Sequence, residues 1–217
     1  MGKKLFINNT HNSFKKTISI DGDKSISIRV LLLGSQAYGK TFIENILLSE
    51  DIINSIKCLK KLGIKISFNK KNCSIYGKGI NGFDYKKNIV LNAGNSGTFA
   101  RLILGLLVKS PYYIKLTGDK SLSQRDFERV ITPLRKLGAN FKVSSKKTLP
   151  LKILGSTFIN PIHYTESKGS AQCKSTVMLA ALNSPGLTVI KAKKSRDHTE
   201  NIFKYLGIPI IVKKKKT

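Results

Sequence analysis

IKCLKKLGIKI at 56–66, ITPLRKLGANF at 131–141 and IFKYLGIPI at 202–210 are three versions of one phrase. Each reads as an amphipathic helix closed by Leu-Gly and followed by a strand. Gly63, Gly138 and Gly207 fall at the position after the helix where the backbone turns left-handed. A second matching element lies upstream of each. Ser25, Ser96 and Ser170, spaced by 71 and 74 residues, stand before the apolar runs ISIRVLLLGSQA, GTFARLILGLLV and AQCKSTVMLAAL. These runs are too long for ordinary strands. They break at Tyr38-Gly39, Ser110-Pro111 and Ser184-Pro185-Gly186, and KTFIEN, YYIKLTG and LTVIKA then read as strands, with NIVLN and LKILG as further ones. The repeat predicts an α/β domain of three units with pseudo-threefold symmetry, helices packed inside and sheets outside. No linker rich in Gly, Pro or Ser divides it. The domain is placed at 21–212, between an N-terminal segment 1–20 and a basic tail 213–217.

Composition narrows the function classes. A chain of 217 residues that is 41% hydrophobic can bury a core. No stretch reaches the roughly 20 uncharged apolar residues of a membrane span, and the basic start lacks the apolar segment of a signal peptide, so the expected location is cytoplasmic. Cys58, Cys73 and Cys173 are widely spaced and read as reduced thiols rather than as a zinc site or disulfide framework. The 39 Lys and Arg against 12 Asp and Glu give a net charge of +27. That charge implies either an anionic partner or a lysine-rich composition spread over a solvated surface. The lysines form no stripe and no stacking aromatics interleave with them, which favours composition over nucleic-acid binding.

The repeat also brings charge to equivalent places. Lys24-Ser25 with Arg29, Asn95-Ser96-Gly97-Thr98 with Arg101, and Ser170 with Lys174 each combine a polar helix start with a cation about one turn in. Free N–H groups and the positive end of the helix favour anions there. One such start is plain capping by Ser; three in register suggest converging anion sites. The closing helices begin in GDKSLSQRDFERV, with Lys120, Ser121 and Arg125, and in KKSRDHTENIF, with Ser195, Arg196, Asp197 and His198. His198 reads first as a structural hydrogen-bonding residue and second as an acid or base.

GSQAYGKT, Gly34 to Thr41, fits the phosphate-loop pattern letter for letter. That reading would make VLLL a strand. The repeat instead puts Gly39 at the turn that closes a helix, the other copies lack Gly-Lys-Thr, and no apolar strand ending in Asp follows to hold magnesium.

GDKSISIR, LNAGNSGTFAR, LTGDKSLSQR, GSAQCKS and SRDHTE together resemble, in order, the motifs of the 5-enolpyruvylshikimate-3-phosphate synthases over about residues 18–212. GDKS, SAQxK and RDHTE are similar to the class usually tolerant of glyphosate. The resemblance implies two domains, each of three βαβαββ units, and transfer of the enolpyruvyl group of phosphoenolpyruvate to the 5-hydroxyl of shikimate 3-phosphate. That is a step of aromatic amino acid biosynthesis, and it needs no metal or organic cofactor. Carried onto this sequence, Lys24 sits between the substrates and is the catalytic residue. Ser25 and Arg29 hold the shikimate carboxylate, a task suited to a guanidinium. Ser170, Ala171 and Gln172 take the shikimate phosphate and ring, with Ser195 and Arg196 nearby. Gly97 and Arg125 bind phosphoenolpyruvate, with Asn95, Thr98 and Gln172; Arg101 and Lys174 support the two sites.

Three positions depart from the family pattern: Ile28 stands for His, Asp21 for Pro before GDKS, and Asp126 for Pro after Arg125. An Asp at 126 is expected to weaken anion binding. The sequence also ends at IIVKKKKT, ahead of the second domain's motifs. The expectation is therefore an N-terminal half whose segment 1–20 pairs with the second domain. Such a half binds substrate but does not turn over alone, because closure between two domains completes the site. A separately encoded C-terminal half is the implied partner. An inactive truncated remnant and a basic nucleic-acid-binding protein are the alternatives.

Overall fold

The computed structural model describes Phe6 and residues 15–213. The pair of helices foreseen from the repeat is present three times. The first helices are α1 (Lys24–Gln36), α3 (Gly97–Leu106) and α6 (Ala171–Ala181), and the closing helices are α2 (Glu50–Lys61), α5 (Glu128–Lys136) and α7 (His198–Tyr205). Each closing helix ends at its glycine, with φ of 82° at Gly63, 116° at Gly138 and 68° at Gly207. A side chain with a Cβ rarely adopts that conformation. VLLL lies inside α1, and Lys40 and Thr41 lie in the strand beyond it, so the phosphate-loop reading is excluded.

Strands β1 (Tyr38–Ile43), β2 (Lys65–Asn69) and β3 (Asn72–Lys78) form a sheet in the order β1-β3-β2. The second sheet, in the order β4-β5-β7-β6, contains β4 (Val90–Asn92), β5 (Ile114–Thr117), β6 (Asn140–Lys142) and β7 (Leu151–Leu154). The third pairs β8 (His163–Glu166) with β9 (Val189–Ala192). In the second and third units the strand before the first helix runs parallel to the strand after it, β4 with β5 and β8 with β9. In the first unit the equivalent stretch, residues 16–20, forms no strand, and β1 has β3 as its one neighbour among the described residues.

Two expectations change. IPI at 208–210 is not a strand: β2 and β6 are held by the hairpin partners β3 and β7, and 208–210 has no such partner among the described residues. The run GDKSLSQRDFERV is not one helix either. Asp119 caps a single turn, α4 (Lys120–Ser123), by accepting from the Leu122 N–H at 2.7 Å, and the chain breaks before α5. Asp126 causes the restart, since its carboxylate accepts from the Glu128 N–H at 2.7 Å. The segments expected at 1–20 and 213–217 lie mostly outside the described residues.

The helices are inside, as the apolar runs require. Leu31, Leu32, Phe99, Leu102, Ile103 and Val177 are fully buried. Ile28, at the position where the family pattern has His, is one more core side chain. No helix among the described residues is long and apolar enough to cross a membrane. Helices α3 and α6 approach closely, and a Cβ built on Gly105 would lie 2.3 Å from the Thr176 carbonyl oxygen. Gly105→Ala gains helix propensity of about 1 kcal/mol but forces the helices apart. We expect a net loss of about 1–3 kcal/mol on urea denaturation; an unchanged or raised midpoint contradicts this packing.

Candidate functional site

Helix α6 carries two polar clusters. Ser170 caps it, accepting from the Cys173 N–H at 3.3 Å, and Ala171 and Gln172 form its first turn. The Gln172 amide donates to Thr98 Oγ1 at 3.0 Å and accepts from Arg101 Nη1 at 2.7 Å, which joins α6 to α3. Arg101 also donates to the Asp126 carbonyl at 3.2 Å and lies 5.1 Å over the Phe127 ring. Burial, together with the like charges of Arg125 and Arg129, depresses its pKa.

Arg125 sits in the break between α4 and α5. Its Nη2 donates to Asn95 Oδ1 at 3.1 Å, and Asn95 Nδ2 donates to Asp119 Oδ2 at 2.6 Å. Gly97 opens α3 beneath these guanidiniums: a Cβ there would stand 2.8 Å from Arg125 Nη1 and 3.3 Å from Arg101 Nη1. The absent side chain lets two cations lie against backbone. Arg101, Asp126, Arg129, Lys168, Ser170, Gln172 and Cys173 line an open cleft beside this cluster.

The second cluster joins α6 to α1 and α7. Arg29 is 4% exposed. Its Nε donates to Thr199 Oγ1 at 2.7 Å, Nη2 to Ser175 Oγ at 3.2 Å and Nη1 to the Ser25 carbonyl at 2.9 Å. The two hydroxyls are themselves 2.6 Å apart. A guanidinium has five N–H donors, and three of them are used among the described residues. Burial lowers the pKa of Arg29, and the nearby charge of Arg196 lowers it further, against the opposing effect of Glu200 and Asp23. Two neighbouring cations of this kind gain from an anion bound between them.

The three helix starts are less alike than the sequence suggested. Ser96 and Ser170 are caps, but α1 is capped by Asp23, whose carboxylate accepts from the Ile26 N–H at 2.8 Å, so Ser25 lies inside the helix. The three cations differ as well. Lys174 forms a buried ion pair with Glu200, whereas Arg29 and Arg101 are held by neutral groups. Lys24 is half exposed and pairs with Asp51 at 2.8 Å. Ser195 and Arg196 precede α7, and buried Ser195 Oγ and His198 Nδ1 have no hydrogen-bond partner among the described residues. Asp21 pairs with Lys71 on the surface.

Thr199, Ser175, Glu200 and the Arg129–Glu166 ion pair were missed in the sequence. Thr199 and Glu200 stand within RDHTE itself, and that motif was the available signal. Glu166 gave none, because its partner is 37 residues away.

Residues 9–217 match the family model described as EPSP synthase (3-phosphoshikimate 1-carboxyvinyltransferase). The chain belongs to the EPSP synthase family. It is 45% identical over 213 residues to the 3-phosphoshikimate 1-carboxyvinyltransferase of Ruthia magnifica subsp. Calyptogena magnifica, covering 97% of this chain and 48% of that protein. It is 39% identical over 207 residues to that of Syntrophomonas wolfei, covering 95% and 48%. A solved EPSP synthase from Acinetobacter baumannii superposes with a TM-score of 0.87 at 33% identity, over 93% of this chain and 46% of the other. The chain thus spans about half the length of the curated relatives it matches.

Two measurements check the electrostatics of the EPSP synthase-like site. Lys174→Met leaves Glu200 buried without its cation and is expected to cost about 3 kcal/mol, while Lys174→Met with Glu200→Met recovers most of that loss; equal losses in single and double variants refute a coupled pair. Burial opposes ionisation of Glu166, but the Ser170 N–H, Arg129 and the Lys168 N–H outweigh it and hold its carboxyl below the ordinary 4.5. Its stabilisation is complete above that ordinary value and disappears as pH falls through the lower folded value. The acid limb of the stability profile should therefore be shallower in Glu166→Gln than in the unaltered chain.

Proposed function

We propose that this chain supplies the N-terminal, substrate-gripping half of a 3-phosphoshikimate 1-carboxyvinyltransferase of the bacterial cytoplasm. The observation that carries the reading is Arg29: it is buried, fixed by Thr199, Ser175 and Ser25, and has two N–H donors without an acceptor among the described residues, beside Arg196. Such an arrangement suits a carboxylate, which a planar guanidinium binds at two points. Lys24 stands between the substrates. Ser25 and Arg29 take the shikimate carboxylate, and Ser170, Ala171, Gln172, Ser195 and Arg196 take the phosphate and ring. Asn95, Gly97, Thr98 and Arg125 take phosphoenolpyruvate, sharing Gln172 and Lys24, with Arg101 and Lys174 in support.

In the reaction this implies, the 5-hydroxyl adds to phosphoenolpyruvate and phosphate is then eliminated. The cations of this half orient both anions and stabilise the charge they carry. The groups that move protons belong to a complementing C-terminal half, whose closure excludes water. GDKS, SAQxK and RDHTE support assignment to the glyphosate-tolerant class.

Titration calorimetry tests the reading. The purified chain is expected to bind shikimate 3-phosphate, and Arg29→Lys, which gives up the fork of donors, to bind it at least about tenfold more weakly. Turnover by the chain alone contradicts its dependence on a second half. Binding of DNA or RNA with a steep salt dependence, and none of shikimate 3-phosphate, supports the nucleic-acid reading instead.

A further inference from the structure

We propose that Glu166, clamped by Arg129, is a positioning residue that sets the anion-binding start of helix α6. The inference rests on the preceding reading, in which that helix start takes the phosphate of shikimate 3-phosphate.

Glu166 ends β8, and its backbone carbonyl accepts from the Lys193 N–H at 3.1 Å. The residue is 3% exposed, an expensive place for a carboxylate unless every oxygen is matched. Here they are matched. Oε2 accepts from the Ser170 N–H at 2.7 Å; Oε1 accepts from the Lys168 N–H at 3.3 Å and from the Arg129 guanidinium. The side chain therefore staples the end of the strand to the cap of the helix, across a turn that Gly169 makes at φ 71°.

The staple decides which donors the helix start can offer. The Ser170 N–H is spent on Glu166, and Ser170 Oγ accepts from the Cys173 N–H, so the hydroxyl hydrogen remains available to donate. Among the described residues the N–H groups of Ala171 and Gln172 have no protein acceptor. A hydroxyl and two amides are held in one geometry by a residue that does not itself face an anion. An unmatched carboxylate at this helix start would repel a phosphate. Arg129 cancels that charge, and it comes from α5, in the preceding repeat unit, so the clamp also ties two units together at the cleft.

Charge and position predict opposite outcomes, which makes the inference testable. Removing a carboxylate beside an anion site strengthens anion binding if charge alone matters; it weakens binding if Glu166 positions the donors. We expect Glu166→Ala to bind shikimate 3-phosphate about tenfold more weakly than the unaltered chain at fixed ionic strength, by calorimetry. Glu166→Gln keeps an oxygen for the Ser170 N–H and should stay within about threefold. Should Glu166→Ala fail to fold, as read by its melting curve, Glu166→Asp keeps the charge but withdraws the oxygens, and it should show the same weakening. Equal or tighter binding by the folded Ala variant, or by the Asp variant in its place, overturns the positioning role. If the unaltered chain does not bind shikimate 3-phosphate, the proposed function falls and takes this inference with it.

Discussion

The close approach of α3 to α6 is the constraint on which the rest depends. With hydrogen alone at Gly105, the backbone of α3 comes against the Thr176 carbonyl, and that places Thr98 and Arg101 within reach of Gln172. Moving one helix by the width of a methyl group would part those hydrogen bonds, because packed interiors leave little slack. The Thr176 hydroxyl shares its hydrogen between the Gln172 carbonyl of its own helix at 2.9 Å and the Arg101 carbonyl of α3 at 3.1 Å. Packing and the geometry of the candidate site are thus set by the same few atoms, and α6 serves both as core element and as carrier of the polar clusters.

Polar groups at the centre of this domain are organised by sharing rather than by burial of single charges. Arg29 is held by hydroxyls from α6 and α7, Lys174 by a carboxylate from α7, and Glu166 by an arginine and two backbone amides. Each arrangement links different elements of the repeat. A substitution at one of these positions therefore reaches beyond the residue replaced, and effects within a cluster are not expected to add.

Much of the architecture was legible because it is written in spacing. Three Leu-Gly endings and three apolar runs gave the helices, and the glycines took the left-handed angles expected of them. What spacing could not give was long-range pairing. The third unit repeats the letters of a closing strand at 208–210, yet a strand exists only where a neighbour supplies its hydrogen bonds. Local chemistry also overrode the pattern twice: Asp23, rather than Ser25, caps α1, and Asp126 restarts a helix that periodicity would have run straight through. Arg29, Gln172 and Arg125 were singled out inside motifs, and each is tied by hydrogen bonds into one of the polar clusters. Those outside motifs, Glu166 and Arg129, emerge only once two distant segments meet.

The side of β1 that has no strand neighbour among the described residues has a consequence for how copies of this chain behave together. Its N–H and C=O groups, unpaired among the described residues, are a template for another strand, and Tyr38 and Phe42 stand exposed on that strand. The chain as a whole carries a net charge of +27. In colloidal terms the sheet edge supplies attraction at contact and the lysines supply repulsion at a distance. Salt screens the repulsion over about 8 Å at physiological ionic strength and leaves the edge unchanged, so solubility rests on ionic conditions as much as on the fold.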